Sequence, residues 1–462
     1  MTISWIPEIE RTDQPLYLAI IEALAEDIVS ERLQPDFRLP THRELADALG
    51  VAVGTITKAY AEAEQRGLIR GEGRRGTFVG EKRRESVSLS SIVESKPDII
   101  DLCKNHPTQS LDPDPSAALR TLARRADNRK FLQYSPGQGL SKHREAGASW
   151  LETLGVKTDP DLILPTAGAH NAILISLATV ANRGDVVAAE CYAYPGIKPI
   201  ADLLGLQLVG LAMDNEGIIP DALDKLCRQR TVRALYCNPT LQNPTNTVLP
   251  VSRREAIAAI AGTHGVTIVE DDLLRALVDD PPPPISAMAP ERSFLIISSS
   301  KVIAGGLRAG YVVAPPRSLQ RLGDNLRSTI LSMSLLPLEL LTIWINDGTV
   351  ARVIASRKEE LTARQKIARE MFGKRAVCTD GAANSIWLHL PEQWTTTQFT
   401  MEAARRGVAV APAELFVVDS NAQADAVRVS ISSVSSREAL REGLGILVDL
   451  LESKPCICTR TI

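Results

Sequence analysis

The chain has 462 residues, a net charge of −3 and a hydrophobic content of 44%. That length exceeds one ordinary domain and predicts two or three, while the near-neutral charge excludes a field strong enough to drive the whole molecule onto nucleic acid or membrane. Seven scattered cysteines, without a C-x-x-C pair, argue against a disulfide framework or structural zinc site and fit free thiols in a reducing cytosol.

The N-terminal stretch MTISWIPEIERTDQ is acidic and lacks the basic start and apolar core of a signal peptide. From Gln14 to Ser30, Leu16, Ile20, Leu24 and Ile28 recur four apart, one face of an amphipathic helix. Thr41-His42-Arg43-Glu44 has the T-x-x-E form of a capping box, and Gly50 predicts an αL stop after two turns. A third helix is expected from about Thr55 to Arg66. It buries Ile56, Ala59 or Tyr60, and Ala63, and leaves Thr55, Thr57 and Lys58 exposed near its start. Two short helices joined by a tight turn make a helix-turn-helix, whose second helix meets base edges.

The following GLIRGEGRRGTFVG predicts two short strands around a glycine-rich turn, a wing. Gly71 to Gly76 also satisfies G-x-G-x-x-G, but a dinucleotide site needs a strand before it and a helix after it, and here the order is reversed. Arg74 and Arg75 suit phosphates or a minor groove instead. Residues 1–36 hold two basic and eight acidic residues, whereas residues 37–84 hold ten basic and six acidic, so positive charge gathers at the third helix and wing. A helical adaptor with solvated charges stays open on these grounds alone. The matches RLPTHRELADALGV, TITKAYAEAEQRGLI and GRRGTFV, within about residues 14–80, resemble the winged-helix domain of GntR regulators. The resemblance implies that Thr41, His42, Arg43, Thr55, Thr57, Lys58, Arg74 and Arg75 contact double-stranded operator DNA. It departs at Val53, where the family often has an arginine.

Residues 81–97, EKRRESVSLSSIVESKP, are polar and serine-rich and read as a connector. Strand-like and helix-like segments then alternate. LILP, DVVAAE, VRALYC, TIVEDD and SFLIISS read as strands, with helical patterns after the first three. Such alternation predicts a parallel sheet wrapped by helices, with ligands at the carboxyl ends of the strands. No apolar run reaches the ~18 residues of a membrane span.

Polar residues gather at those strand ends. Thr166-Ala167-Gly168-Ala169-His170 joins a strand to a helix, where free N–H groups can cradle a phosphate. Asn238 and Asn243 follow VRALYC, Asp271 ends TIVED, and Lys301 follows SFLIISSS with Arg308 seven residues on. A lysine, a carboxylate, an asparagine, a phosphate cradle and an arginine are what pyridoxal 5′-phosphate (PLP) requires. Singly, each has a plainer reading: Lys301 as a surface residue, Asp271 in a solvated turn or a paired-carboxylate metal site, Tyr194 as core packing, Gly168 as a helix start.

Residues from about Ile99 to Leu451 resemble fold-type I aminotransferases. The resemblance assigns Lys301 to the PLP Schiff base, Asp271 to the pyridine nitrogen, Asn243 to the ring hydroxyl and Tyr194 to stacking on the ring. Gly168, Ala169, His170, Ser298 and Arg308 would surround the phosphate. Tyr134 in QYSPGQGL would reach the partner subunit's phosphate in a homodimer, and Arg428 in VRVSIS would grip an effector carboxylate. The plainer reading of Arg428 is a surface salt bridge. Three positions depart from the family: Leu273 replaces a common tyrosine, Asn246 the glycine of N-P-T-G, and Ala169 a common hydroxyl residue.

A winged helix fused to such a domain is the layout of the MocR-type subgroup of GntR regulators. The expected architecture is α/β. It comprises a winged helix-turn-helix over 1–80, a linker over 81–97, a large PLP-binding domain over 98–350 and a C-terminal small α+β subdomain over 351–462. The expected function is a cytoplasmic, homodimeric, PLP-dependent transcription regulator that senses PLP or an amino compound at Lys301, with no metal. The alternative is a working aminotransferase tethered to a DNA-binding domain.

Overall fold

The computed structural model describes residues 5–7, 16–29, 32–34, 37–65, 68–71, 75–79, 99–135, 138–418 and 425–453. The chain divides into two compact units, Met1–Ile92 and Val93–Ile462. The expected linker 81–97, Arg74 and the terminal cysteines Cys456 and Cys458 lie outside the described residues.

The first unit contains α1 (Leu16–Val29), α2 (His42–Leu49) and α3 (Val53–Gln65), then β1 (Ile69–Gly71) and β2 (Thr77–Val79). On α1, Ile20, Ile21 and Leu24 are buried, Ile28 is partly buried and Leu16 is 37% exposed. A repeat of four drifts against the 3.6-residue turn, so the ends of the expected stripe leave the core and Ile21 enters it. The capping box forms as expected: Thr41 Oγ1 accepts the Glu44 amide, and Glu44 Oε2 accepts the Thr41 amide at 2.8 Å. Gly50 ends α2 in the left-handed region at φ 66°, which glycine occupies at no steric cost. Helix α3 starts two residues before the expected Thr55 and buries Ile56, Ala59, Tyr60 and Ala63. β1 and β2 pair antiparallel with Ile69 opposite Val79. A strand, not the expected helix, therefore leads directly into the glycine motif, but a strand also follows it where a dinucleotide loop needs a helix.

The second unit holds a seven-stranded sheet. Its strands are β4 (Ile163–Thr166), β5 (Val186–Glu190), β6 (Gln207–Leu211), β7 (Val232–Cys237), β8 (Thr267–Asp271), β9 (Ser293–Ser298) and β10 (Gly310–Val313). Preceding them in the chain is the short β3 (Ile100–Asp101). The spatial order is β4-β10-β9-β8-β7-β5-β6. β6, β5, β7, β8 and β9 are mutually parallel, whereas β10 runs antiparallel to β9 and β4. The sheet is therefore mixed, not wholly parallel as the alternation implied. The loop 299–309 is shorter than the dozen or more residues a parallel crossover needs, so the chain turns straight back. β9 is buried at every position, and Phe294 to Ile297 pack into the main core. Helix α4 (Ala169–Val180) follows β4 and packs on the sheet chiefly at β8, β9 and β10.

Beyond the long helix α5 (Thr349–Phe372), a second sheet orders β11 (Ala376–Val377), β12 (Ser385–His389), β15 (Ala426–Ser430) and β14 (Ala411–Pro412). The short β13 (Val408–Ala409) pairs in parallel with β3, and Leu102 joins the core of this C-terminal part. Residues 100–102 thus pack with the subdomain that the sequence reading began at 351. Pairing between strands so far apart in the chain leaves no local signal. Among the described residues, no helix is long and apolar enough to cross a membrane.

Candidate functional site

The carboxyl ends of β4, β5, β7, β8 and β9 bring the expected residues to one edge of the sheet. Lys301 follows β9, and its Nζ donates to the Asn105 carbonyl at 2.5 Å. Burial, followed by the nearby Arg428 and Arg308 charges, lowers its pKa to about 8, with Asp271 opposing the shift. Asp271 ends β8 and is buried. Tyr236 O–H on β7 donates to its Oδ2 at 2.8 Å, whereas Oδ1 is buried without a partner. Burial raises the Asp271 pKa to about 7, with Tyr236 and Lys301 opposing the rise.

Gly168 precedes α4 at φ 83°, and a Cβ there would stand 3.0 Å from the Arg308 guanidinium. Arg308 is itself left-handed, at φ 47°, and its Nη1 and Nη2 donate to Ser300 Oγ and the Ala167 carbonyl, each at 3.3 Å. The glycine backbone and this guanidinium form one cradle at the N-terminus of α4, where free amides favour an anion. Ala169 is buried at the first position of α4. His170 is exposed, with Nδ1 3.4 Å from the Tyr194 hydroxyl and its ring edge-on to Tyr194. Ser298 Oγ bonds the Ala309 carbonyl and lies 3.0 Å from Ser300 Oγ, so Ser300, not Ser298, touches Arg308.

Arg428 on β15 is buried, which lowers its pKa to about 10. It is no surface salt bridge. Nη1 donates to Asn243 Oδ1 at 2.9 Å and Nη2 to the Cys103 carbonyl at 2.6 Å, while the guanidinium lies 4.9 Å from the Phe416 ring centre. Asn243 is anchored in turn, its amide donating to Asn238 Oδ1 at 2.8 Å. Asn238 N–H donates to the buried Glu190, whose pKa burial raises to about 8. Asn246 sits at φ 61°, a region asparagine tolerates, which accommodates the missing glycine. Leu273 is half-buried and offers no hydroxyl. Tyr134 is 81% exposed.

Sequence reasoning missed Tyr236, Ser300, Glu190 and the strap 103–105, whose carbonyls meet both cations. The pattern LYCNPT contains Tyr236, but only the β7–β8 register brings it to Asp271.

In the first unit, Arg43, Thr57 and Lys58 are exposed, Thr55 and His42 are half-buried, and Arg75 lies exposed beside the wing. The Thr57 hydroxyl donates to the Val53 carbonyl at 3.0 Å and lies 3.2 Å from His42 Nδ1. Lys58 Nζ rests 3.9 Å from the centre of the Tyr17 ring. Both are exposed, as expected. Their neighbours hold them because an exposed hydroxyl or ammonium still gains from a nearby carbonyl or aromatic face.

The family model for bacterial regulatory proteins of the gntR family matches residues 16–79, and that for class I and II aminotransferases matches residues 97–447. The chain is 31% identical to the uncharacterized HTH-type transcriptional regulator YdeF of Bacillus subtilis, over 97% of each chain. The chain belongs to the MocR-type subgroup of GntR regulators. It is also 30% identical to the HTH-type pyridoxine biosynthesis transcriptional regulator PdxR of Corynebacterium glutamicum, over 61% of this chain and 62% of that protein. A crystal structure of Pyrococcus horikoshii kynurenine aminotransferase superposes with TM-score 0.73 at 22% identity, covering 79% of this chain and 94% of that one. That likeness establishes a fold-type I fold for the second unit of this MocR-type regulator.

PLP is the cofactor that this domain implies, and the residues fit it. Asp271 Oδ1 is a buried acceptor without a partner, Gly168 and Arg308 form a cradle that a side chain at 168 would fill, and Lys301 has a depressed pKa.

Proposed function

We propose that the protein is a DNA-binding regulator in which PLP, or an amino compound captured with it, at Lys301 sets the affinity for DNA. The observation that carries this reading is the union, in one chain, of a winged helix with Lys301, a buried Asp271, a buried Arg428 and the Gly168–Arg308 cradle. In this reading the Lys301 amine holds the cofactor covalently. Asp271 Oδ1 would accept the ring N–H, Asn243 would meet the ring hydroxyl and Tyr194 would stack on the ring. Gly168, Ala169, His170, Ser298 and Arg308 hold the phosphate. When bound, PLP supplies a carbonyl for amine capture and a ring that withdraws electrons.

Arg428 supplies the carboxylate clamp. To take an effector carboxylate it exchanges the Cys103 carbonyl and Asn243 for the ligand, a bidentate bond that its planar fork favours. The effector is therefore an amine carrying a carboxylate. It acts only through different affinities for two states of the protein. Exposed Tyr134 supports a homodimer in which it reaches the partner's phosphate. Arg43, with Thr41, His42, Thr55, Thr57, Lys58, Arg74 and Arg75, faces the operator. The protein acts in the cytoplasm.

The second reading, a tethered aminotransferase, is favoured by the fold and by retention of Lys301, Asp271 and Arg428. Two assays on one preparation separate them: affinity for a duplex selected by the full chain, with and without PLP, and keto-acid formation from an amino-acid panel. Regulation requires a PLP- or amine-dependent change in affinity without sustained turnover. Sustained turnover with unchanged DNA affinity selects the enzyme.

A further inference from the structure

Asp271 has two oxygens in different circumstances. Oδ2 accepts the Tyr236 hydroxyl at 2.8 Å, and Oδ1 is buried without a partner. The two residues come from neighbouring parallel strands. Tyr236 stands opposite Val269, and Asp271 lies two residues further along the same face. That displacement is ~6.6 Å along the strand, a span a tyrosine side chain can cover. Tyr236 is fully buried, and burial, then Asp271 itself, pushes its phenol pKa well above 10, so it remains a donor across the working range.

The surroundings work against an ionised Asp271. The titratable groups facing it are Tyr236 on β7, Glu190 at the end of β5, Tyr194 beyond it, Asp272 next in the chain, and Lys301 after β9. Burial favours the neutral acid, and the Asp272 charge adds to that preference, while Lys301 and the Tyr236 hydrogen bond oppose it. Of the two opposing groups, Lys301 acts through its charge alone, whereas Tyr236 acts through a direct hydrogen bond and is the stronger.

We propose that Tyr236 is a positioning residue for the cofactor: its hydroxyl keeps Asp271 a carboxylate with Oδ1 presented, so that the ring nitrogen of PLP retains its proton. The proposal rests on Asp271 and Lys301 holding PLP as read above. Without the hydroxyl, the buried carboxylate has one accepting oxygen less satisfied. It then competes for the ring proton, and a neutral pair binds less firmly than an ion pair.

The test loads full-length wild-type, Tyr236→Phe, Asp271→Asn and double-variant chains with PLP labelled with ¹⁵N in the ring. It reads the ¹⁵N chemical shift from pH 6.5 to 9 together with the PLP dissociation constant. Wild-type chain should show a protonated ring nitrogen throughout. Tyr236→Phe should move the shift toward the unprotonated value and weaken PLP about tenfold, as loss of a hydrogen bond to a buried charge implies. In the Asp271→Asn background the same change should have no further effect on the shift. An unchanged shift in Tyr236→Phe, or an equal effect in both backgrounds, overturns the proposal. If wild-type chain takes up no PLP, the functional reading itself fails, which is a separate outcome. Should Tyr236→Phe fold poorly, 3-fluorotyrosine at 236 retains the hydroxyl with greater acidity, and the shift should stay protonated.

Discussion

The state of the Lys301 amine sets the rate at which the empty protein captures PLP, because only the neutral amine attacks the aldehyde. Burial, then Arg428 and Arg308, lower its pKa from 10.5 to about 8. At pH 7.5 an amine of pKa 8 is about one-quarter neutral and one of pKa 10.5 about one part in a thousand, an advantage of roughly 240-fold. Stopped-flow absorbance of the cofactor-free full chain mixed with PLP, from pH 6 to 10, reads this directly. The rate should rise about tenfold per pH unit at the acid end and level off near pH 8. Arg428→Gln removes the largest charge effect and should move the bend to higher pH, toward 10.5. A rate still climbing at pH 10 in the wild-type chain, or a bend that Arg428→Gln leaves in place, refutes the reasoning.

Lys301→Ala should abolish the PLP adduct that borohydride fixes in the wild-type chain, read by mass spectrometry, with circular dichroism unchanged; an adduct retained elsewhere assigns the role to another lysine. Gly168→Ala faces both a positive φ and the Arg308 guanidinium at 3.0 Å, so PLP affinity should fall at least about tenfold, measured by fluorescence titration. Arg428→Lys keeps the charge but loses the fork, and the response to carboxylate-bearing amines should weaken by about tenfold or more while PLP binding persists. Arg43→Ala should weaken binding of the selected duplex and flatten the dependence of log affinity on log salt by about one. An unchanged slope removes Arg43 from the phosphate contacts.

Local signals were legible in the sequence. The Thr41–Glu44 capping box, the Gly50 stop and the apolar runs ending at Asp271 and before Lys301 each depend on neighbours within a few residues, and the structure contains them. What depended on pairing was not legible. The reversal of β10 follows from a short loop, the β3–β13 pair joins residues far apart in the chain, and the Tyr236–Asp271 bond needs the β7–β8 register. The engagement of Arg428 with Asn243 and the Cys103 carbonyl escaped for the same reason. Such contacts are set by how three segments meet, and no spacing within one segment encodes them.

The central claim is that chemistry at residue 301 governs the grip on DNA. The most direct measurement is the affinity of full-length wild-type and Lys301→Ala chains for one selected duplex, at fixed salt, with and without saturating PLP. The account predicts that PLP shifts the wild-type affinity and leaves that of Lys301→Ala unmoved. Identical affinities in all four samples would contradict it.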